Sequence, residues 1–302
     1  MKTKFRFLIA TGIIAIGLAT MGCSTDEPQS NGSENNGAGT GANPGDNSGN
    51  GNGGNAGTNT PDTSTWNLVF QDDFDGTSKT PNADYWTLAE RGTDTWNRYL
   101  SESYEQAYQE NGYLYLLGER VDGEYKTGAI ETRGKFDFTY GKVECRAKFQ
   151  KHPQGNHTGI WMMPEPPAEK WPKSGEIDIM EHLNSEDIIY ETVHSWYLDD
   201  MGHSDPSGRN TAKVDIEDWN TYGLIWTENE LTYTVNGEPY LSYPNLNLSG
   251  EDGAYQWPFN KDFYIILSQS LGGEGTWEGE IDNGELPSIF VIDWIKVYQK
   301  QD

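Results

Sequence analysis

Apolar and polar residues alternate with a period of two along most of the chain beyond residue 66, the period of strands wetted on one face. In residues 142–149, Val143, Cys145, Ala147 and Phe149 fall on one side and charged residues on the other, as in a half-solvated strand. Residues 231–241 place Asn236-Gly237 between two such runs, which predicts a tight hairpin. Residues 263–267 and 289–297 are more continuously apolar and read as buried strands. Convincing long helical patterns are few. Many strands separated by turn residues predict an all-β chain folded as a two-sheet sandwich.

One stretch departs from simple alternation. In Trp171-Pro-Lys-Ser-Gly-Glu176-Ile-Asp178-Ile-Met-Glu181-His-Leu183, three carboxylates sit among apolar residues. On a strand, Glu176 and Asp178 share a face while Ile177 and Ile179 point into a core. Regular alternation would then send Glu181 into the apolar layer, at a large cost for an unpaired charge. A β-bulge, which sets two residues opposite one, turns Glu181 back to the side of the other two acids. The backbone from Glu176 to that position spans roughly 13 Å. Two long Glu side chains leaning over a concave sheet can close this to about 5 to 5.5 Å, the separation of a retaining glycosidase. Like charges this close are not all ionised, so at least one carboxyl is expected to titrate high. An exposed acidic strand is the plain alternative.

The order Glu-Ile-Asp-Ile-Met-Glu resembles the bulged active-site signature of glycoside hydrolase family 16, in its laminarinase-type form. The resemblance extends over nearly the whole domain, through Val69-Phe-Gln-Asp-Asp-Phe74, Thr127-Gly-Ala-Ile-Glu-Thr-Arg133, Tyr140-Gly-Lys-Val-Glu-Cys-Arg146, Gly159-Ile-Trp-Met-Met-Pro164, Thr192-Val-His194 and Asp293-Trp-Ile-Lys-Val-Tyr298. It implies a concanavalin A-like jelly roll with a substrate cleft across its concave sheet. It also implies Glu176 as nucleophile, Asp178 as assisting acid and Glu181 as general acid/base, with no cofactor for catalysis. Sugars stack on flat aromatic faces, which makes Trp161 and Trp171, flanking the catalytic strand, the foremost contacts. His194 resembles a histidine on the neighbouring strand of the family. Trp96-Asn97 occupies the place of a sugar-binding loop, although the second Asn and the Glu usual there are absent. Trp196, Gln269 and Trp277 are further candidates. Asp293 and the carbonyl of Gly112 match ligands of a structural calcium found in many members, and oxygen donors suit that ion.

Composition narrows the partners. The chain carries 47 acidic against 21 basic residues, a formal charge of -26, which argues against nucleic acid and disfavours strongly anionic substrates. Lys2, Lys4 and Arg6 precede an apolar run from Phe7 to Gly22, the pattern of an export signal over residues 1–22. Cys23 follows directly, as the lipid-modified cysteine does in bacterial lipoproteins, although Thr20 stands where Leu is usual. From about residue 31 to residue 65 nearly every residue is Gly, Asn, Ser, Thr, Ala or Asp, a flexible tether between anchor and domain. The expectation is an exported lipoprotein of the outer membrane or cell surface, or else a secreted protein. With Cys23 lipidated and Cys145 in a strand core, no disulfide is expected.

Residues 66–302 are then one catalytic domain, expected to act as a monomer on a polysaccharide or glycan. The first expectation is an endo-acting glycanase on β-1,3- or mixed-linkage β-glucan. An endo-β-galactosidase acting on O-glycans or poly-lactosamine is the alternative, suggested by His182-Leu-Asn184 and Thr192-Val-His-Ser-Trp-Tyr197. A non-catalytic lectin on the same sandwich is the reading of a different class.

Overall fold

The structure, a computed structural model, describes residues 65–166 and 168–301. The expectations for the leader, Cys23 and the tether up to residue 64 lie outside the described residues. In chain order the strands begin with β1 (Trp66–Asp72), β2 (Thr87–Leu88), β3 (Ala107–Glu110), β4 (Tyr113–Val121), β5 (Glu124–Thr127) and β6 (Ala129–Glu131). Next come β7 (Asp137–Phe138), β8 (Gly141–Lys151), β9 (Asn156–Pro164), β10 (Glu176–Leu183) and β11 (Ile188–His194). A short helix α1 (Trp196–Asp199) leads to β12 (Arg209–Lys213), β13 (Asn220–Trp226), β14 (Glu230–Val235) and β15 (Glu238–Pro244). The last elements are α2 (Gly250–Gln256), β16 (Phe263–Leu271) and β17 (Ser288–Lys300).

These strands make two antiparallel sheets, as the alternation predicts. One runs β15-β14-β13-β8-β17-β4-β3, with β1 added on β17 and β5 on β4. The other runs β12-β11-β10-β9-β16-β6-β2, with β7 added on β16. The expected hairpin is present: Asn236 and Gly237 both take positive φ, 53° and 85°, the mirror-image turn that matches strand twist.

The core lies between the sheets. Val143, Cys145, Ala147 and Phe149 enter it from β8, and meet Ile160, Met162, Ile177, Ile265 and Leu267 of the other sheet. Trp226 is among the largest fully buried side chains. Phe138, Tyr140 and Phe263 surround its ring at centroid distances of 5.7, 5.5 and 5.4 Å, and its indole N–H donates to the Phe259 carbonyl at 3.1 Å. That bond satisfies the one polar atom that burial of an indole exposes to penalty. β16 is buried along its whole length. The β17 segment differs from the uniformly buried strand expected: Phe290, Ile292, Ile295 and Val297 enter the core while Asp293, Trp294 and Lys296 stay partly exposed. Register shifts after Ile289 and Ile292 place this division, because the outer face of the sheet is wetted.

Of the expected calcium ligands, the Asp293 side chain faces a cation of the protein itself. The Asp293 carboxylate accepts from the Arg146 guanidinium, which itself lies 4.7 Å from the Trp219 ring centre. Gly112 sits with φ 80° in the turn between β3 and β4. Calcium takes about six to eight oxygens, and Asp293, the one side-chain donor named for it, is paired with Arg146.

Candidate active site

The ladders around β10 explain why three carboxylates share a face. Against β9, Asp178 pairs with Trp161 and Met180 with Ile160, which leaves Ile179 without a partner. Against β11 the register jumps between Asp178 and Glu181. This is the bulge expected from sequence. Ile177, Ile179 and Met180 all enter the core, and Glu181 turns to the side of Glu176 and Asp178, across from Tyr190 and Gly159. Gly159 keeps that spot open, since a Cβ there would come 2.9 Å from Trp161 Cδ1 and 3.3 Å from Ser268 Oγ.

Of the three acids Glu181 lines a cavity of about 970 Å³, whose walls include Trp96, Trp277, Tyr190, His157 and Glu278 together with Trp171 and His194, the neighbours of Glu176 and Asp178. Its size suits a short run of sugar units rather than a single small ligand. The Glu176 carboxylate accepts from the Trp171 indole N–H, and the exposed half of that ring lines the cavity. His194 lies between acids: its Nε2 is 3.5 Å from Asp178 Oδ2 and its Nδ1 is 3.1 Å from both Asp199 oxygens. Glu181 is held on both oxygens, by His157 Nε2 at 3.1 Å and by the Thr192 hydroxyl, which donates at 3.0 Å. The other ring nitrogen of His157 is 3.1 Å from Glu278 Oε1, at ion-pair distance but without the alignment of a hydrogen bond.

Protonation follows from this packing. Burial raises Glu176 against the opposing pull of His194 and Trp171. Burial, then the charges of Glu176 and Glu181, push Asp178 well above the ordinary carboxylate range. Burial acts on Glu181 in the same sense, but the His157 bond and charge outweigh it and the carboxyl is lowered. For His157, burial favours the neutral ring, yet Glu181 and Glu278 override it and raise the imidazole to about 9. Burial thus favours the protonated forms of Asp178 and Glu176, while the His157 imidazolium favours the ionised form of Glu181. For Glu181 that direction runs against the resting protonation expected of a general acid, and its cause is His157.

The other sequence-derived candidates divide. Trp96 and Trp277 line the cavity with Trp171 and His194. Trp161 shares the catalytic face but is nearly buried: its N–H donates to Ser268 Oγ at 3.0 Å and Trp96 covers it edge-on at 4.9 Å. It is the support beneath a platform and not the platform. Gln269 is buried on the inner side with Ile265 and Leu267, bonded to Asn156 and Thr158, so it does not reach the cleft. The Asn97 side chain accepts from the Asp94 N–H and so braces its own loop. Trp196 packs beneath the Lys173 ammonium, 4.8 Å from its ring centre.

His157, Glu278, Tyr190 and Arg209 also line the cavity and are not among the sequence-derived candidates. His157 had a signal, because residues 157, 159 and 161 alternate onto one face. Glu278 had none, since it follows Trp277 in a Gly-rich loop whose approach to β9 is a tertiary matter.

A two-sheet sandwich with clustered carboxylates and tryptophans around a sugar-sized cleft is the architecture of a glycoside hydrolase. The chain belongs to the glycosyl hydrolases family 16, which it matches over residues 94–296. It is 37% identical over 244 residues to the keratan-sulfate endo-1,4-beta-galactosidase of Sphingobacterium multivorum, covering 78% of this chain and 56% of that one. It thus spans little more than half the length of this relative. It is 31% identical over 249 residues to a beta-glucanase of Rhodothermus marinus, covering 78% of this chain and 85% of that protein. A solved structure from work on endo-acting O-glycanases, with which prominent members of the human gut microbiota initiate mucin breakdown, aligns with a TM-score of 0.69 at 34% identity. That alignment covers 76% of this chain and 98% of the other.

Proposed function

We propose that the chain is a retaining endo-β-glycanase that cuts internal bonds of a polysaccharide by double displacement. The observation that carries this reading is the bulge that gathers Glu176, Asp178 and Glu181 on one face of β10. The Glu176 carboxylate attacks the anomeric carbon as Glu181 gives a proton to the departing oxygen. The covalent glycosyl ester at Glu176 is then hydrolysed by a water that passes its proton to Glu181. Asp178, protonated and beside Glu176, stabilises the carboxylate before attack and after release.

For the substrate, β-1,3-glucan or mixed-linkage β-1,3/1,4-glucan is the first reading, supported by the bulged motif, the tryptophan-lined cleft and the likeness to a beta-glucanase. An endo-β-galactosidase acting on O-glycans or poly-lactosamine is the second, favoured by the 37% identity to a keratan-sulfate-cleaving enzyme and the 34% identity to an O-glycanase structure. Product analysis on laminarin, barley glucan, agarose and mucin glycans decides between them. Internal cleavage of laminarin or barley glucan is expected on the first reading and release of mucin oligosaccharides on the second, whereas binding with no new reducing ends on any of the four sinks both in favour of a lectin.

The basic-apolar leader and Cys23 support export with a lipid anchor, the tether carrying the enzyme away from the membrane. Expressed in a bacterium with lipoprotein processing, the full chain is expected in the detergent phase, and Cys23→Ser in the aqueous phase; equal partition of the two would refute the anchor.

A further inference from the structure

Glu278 is 3% exposed, lines the cavity, and meets His157 through Oε1 alone. Its second oxygen, Oε2, is buried with no partner in hydrogen-bond geometry among the described residues; the carboxyl is lowered, against burial, by His157, its own N–H and the nearby Thr276 hydroxyl, which itself donates to the Gly273 carbonyl at 2.9 Å. A buried carboxylate oxygen without a donor is costly and uncommon. The neighbouring Trp277 does the opposite, standing 58% exposed with its ring against His157 at 5.7 Å and Tyr190 at 5.5 Å. The short loop, closed by Gly273 N–H to the Gly279 carbonyl at 2.7 Å, thus presents a flat apolar face and a lone acceptor side by side.

From this geometry we infer that Glu278 is a specificity-determining residue of the leaving-group subsite, accepting at Oε2 a hydrogen bond from a hydroxyl of the sugar that rests on Trp277. The inference rests on the glycanase reading above. Glu181 delivers its proton to the leaving oxygen, and Glu278 is one imidazole away from Glu181, so the sugar it meets belongs to the leaving group. A carboxylate there selects a neutral sugar with a free hydroxyl and rejects a sulfate or uronate by like charge.

The test compares the oligosaccharide that wild type cleaves with its analogues lacking a single hydroxyl on the leaving-group sugar, whose leaving oxygen needs the same proton. Wild type is expected to lose kcat/KM about tenfold or more on one such analogue, the loss of a charge-assisted hydrogen bond, and Glu278→Ala and the nearly isosteric Glu278→Gln are expected to bring the ratio of oligosaccharide over that analogue close to one. A role only through His157, positioning Glu181, would lower both rates alike and leave the ratio at the wild-type value. That result, from variants that melt as the wild type does, would overturn the inference. Wild-type inactivity on every oligosaccharide and glycoside would overturn the glycanase reading itself, and with it this one.

Discussion

Glu176→Gln is expected to abolish hydrolysis, with kcat/KM falling on the order of 10³-fold or more, because an amide cannot form the glycosyl ester. Glu181→Gln is expected to lose about 10² to 10⁴-fold, the usual worth of a positioned proton donor. The two separate by leaving group. A dinitrophenyl leaving group departs without a proton, so Glu181→Gln forms the ester with it and then stalls for want of a base, giving a burst. Glu176→Gln gives no burst with any leaving group. Azide, small and nucleophilic, takes the place of water in the stalled Glu181→Gln and yields a β-glycosyl azide. In wild type the first product retains the β configuration, read by NMR before mutarotation, as a double displacement requires. Full activity in either variant, or an inverted first product, removes the assignment of roles. Glu181→Gln is expected to fold but to melt below wild type at neutral pH, since it loses the ion pair with His157.

The second large effect concerns pH. His157 and Glu181 face each other across 3.1 Å and hold one proton between them, which rests on the imidazole in the free protein. Transfer along that bond makes Glu181 the neutral acid that catalysis needs, so the pair stays competent until it loses the shared proton. Its apparent value belongs to the pair and not to either residue. The alkaline limb of kcat/KM in wild type is therefore expected near 9, well above that of an isolated carboxyl. Glu278 supports the imidazolium from its far side, and His194 is the other imidazole facing the acids. In His157→Gln the alkaline limb reports the Glu181 carboxyl by itself and shifts toward acid, so activity at mildly alkaline pH drops while the optimum moves down. An unchanged limb would show that His157 has no part in the acid's titration. Stability carries the same signature. A histidine whose folded pKa is raised from 6.5 to about 9 stabilises fully below the lower value. That contribution is lost as pH rises through the upper one. The melting temperature of wild type should decline across this window, and that of His157→Gln should decline less.

Much of the catalytic strand was legible in the residues. Glu176-Ile-Asp178-Ile-Met-Glu181 contains both a period of two and its violation, and only a bulge reconciles the violation with the cost of a buried charge. The buried Glu191 shows the limit of that logic. It lies between Ile189 and Val193 with its side toward the core, where burial pushes its carboxyl up to about 7 against the help of Asn210. No bulge rescues it. Alternation alone predicts its direction but not that the fold tolerates it.

By itself the sequence determined what depends on neighbours along the chain: the strands and their faces, the Asn236-Gly237 hairpin, the bulged acids and the aromatic residues near them. The tertiary structure decided what depends on segments far apart. Trp96, from a loop, covers Trp161 and turns an expected sugar platform into a support. Arg146, from the neighbouring strand, pairs with the Asp293 carboxylate. Glu278, from a distant loop, comes to lie against His157 and helps hold the imidazolium that faces Glu181. Side-chain direction is a local property of backbone geometry, whereas burial, pairing and proton affinity are set by whatever the fold places opposite, and no period in the residues encodes that.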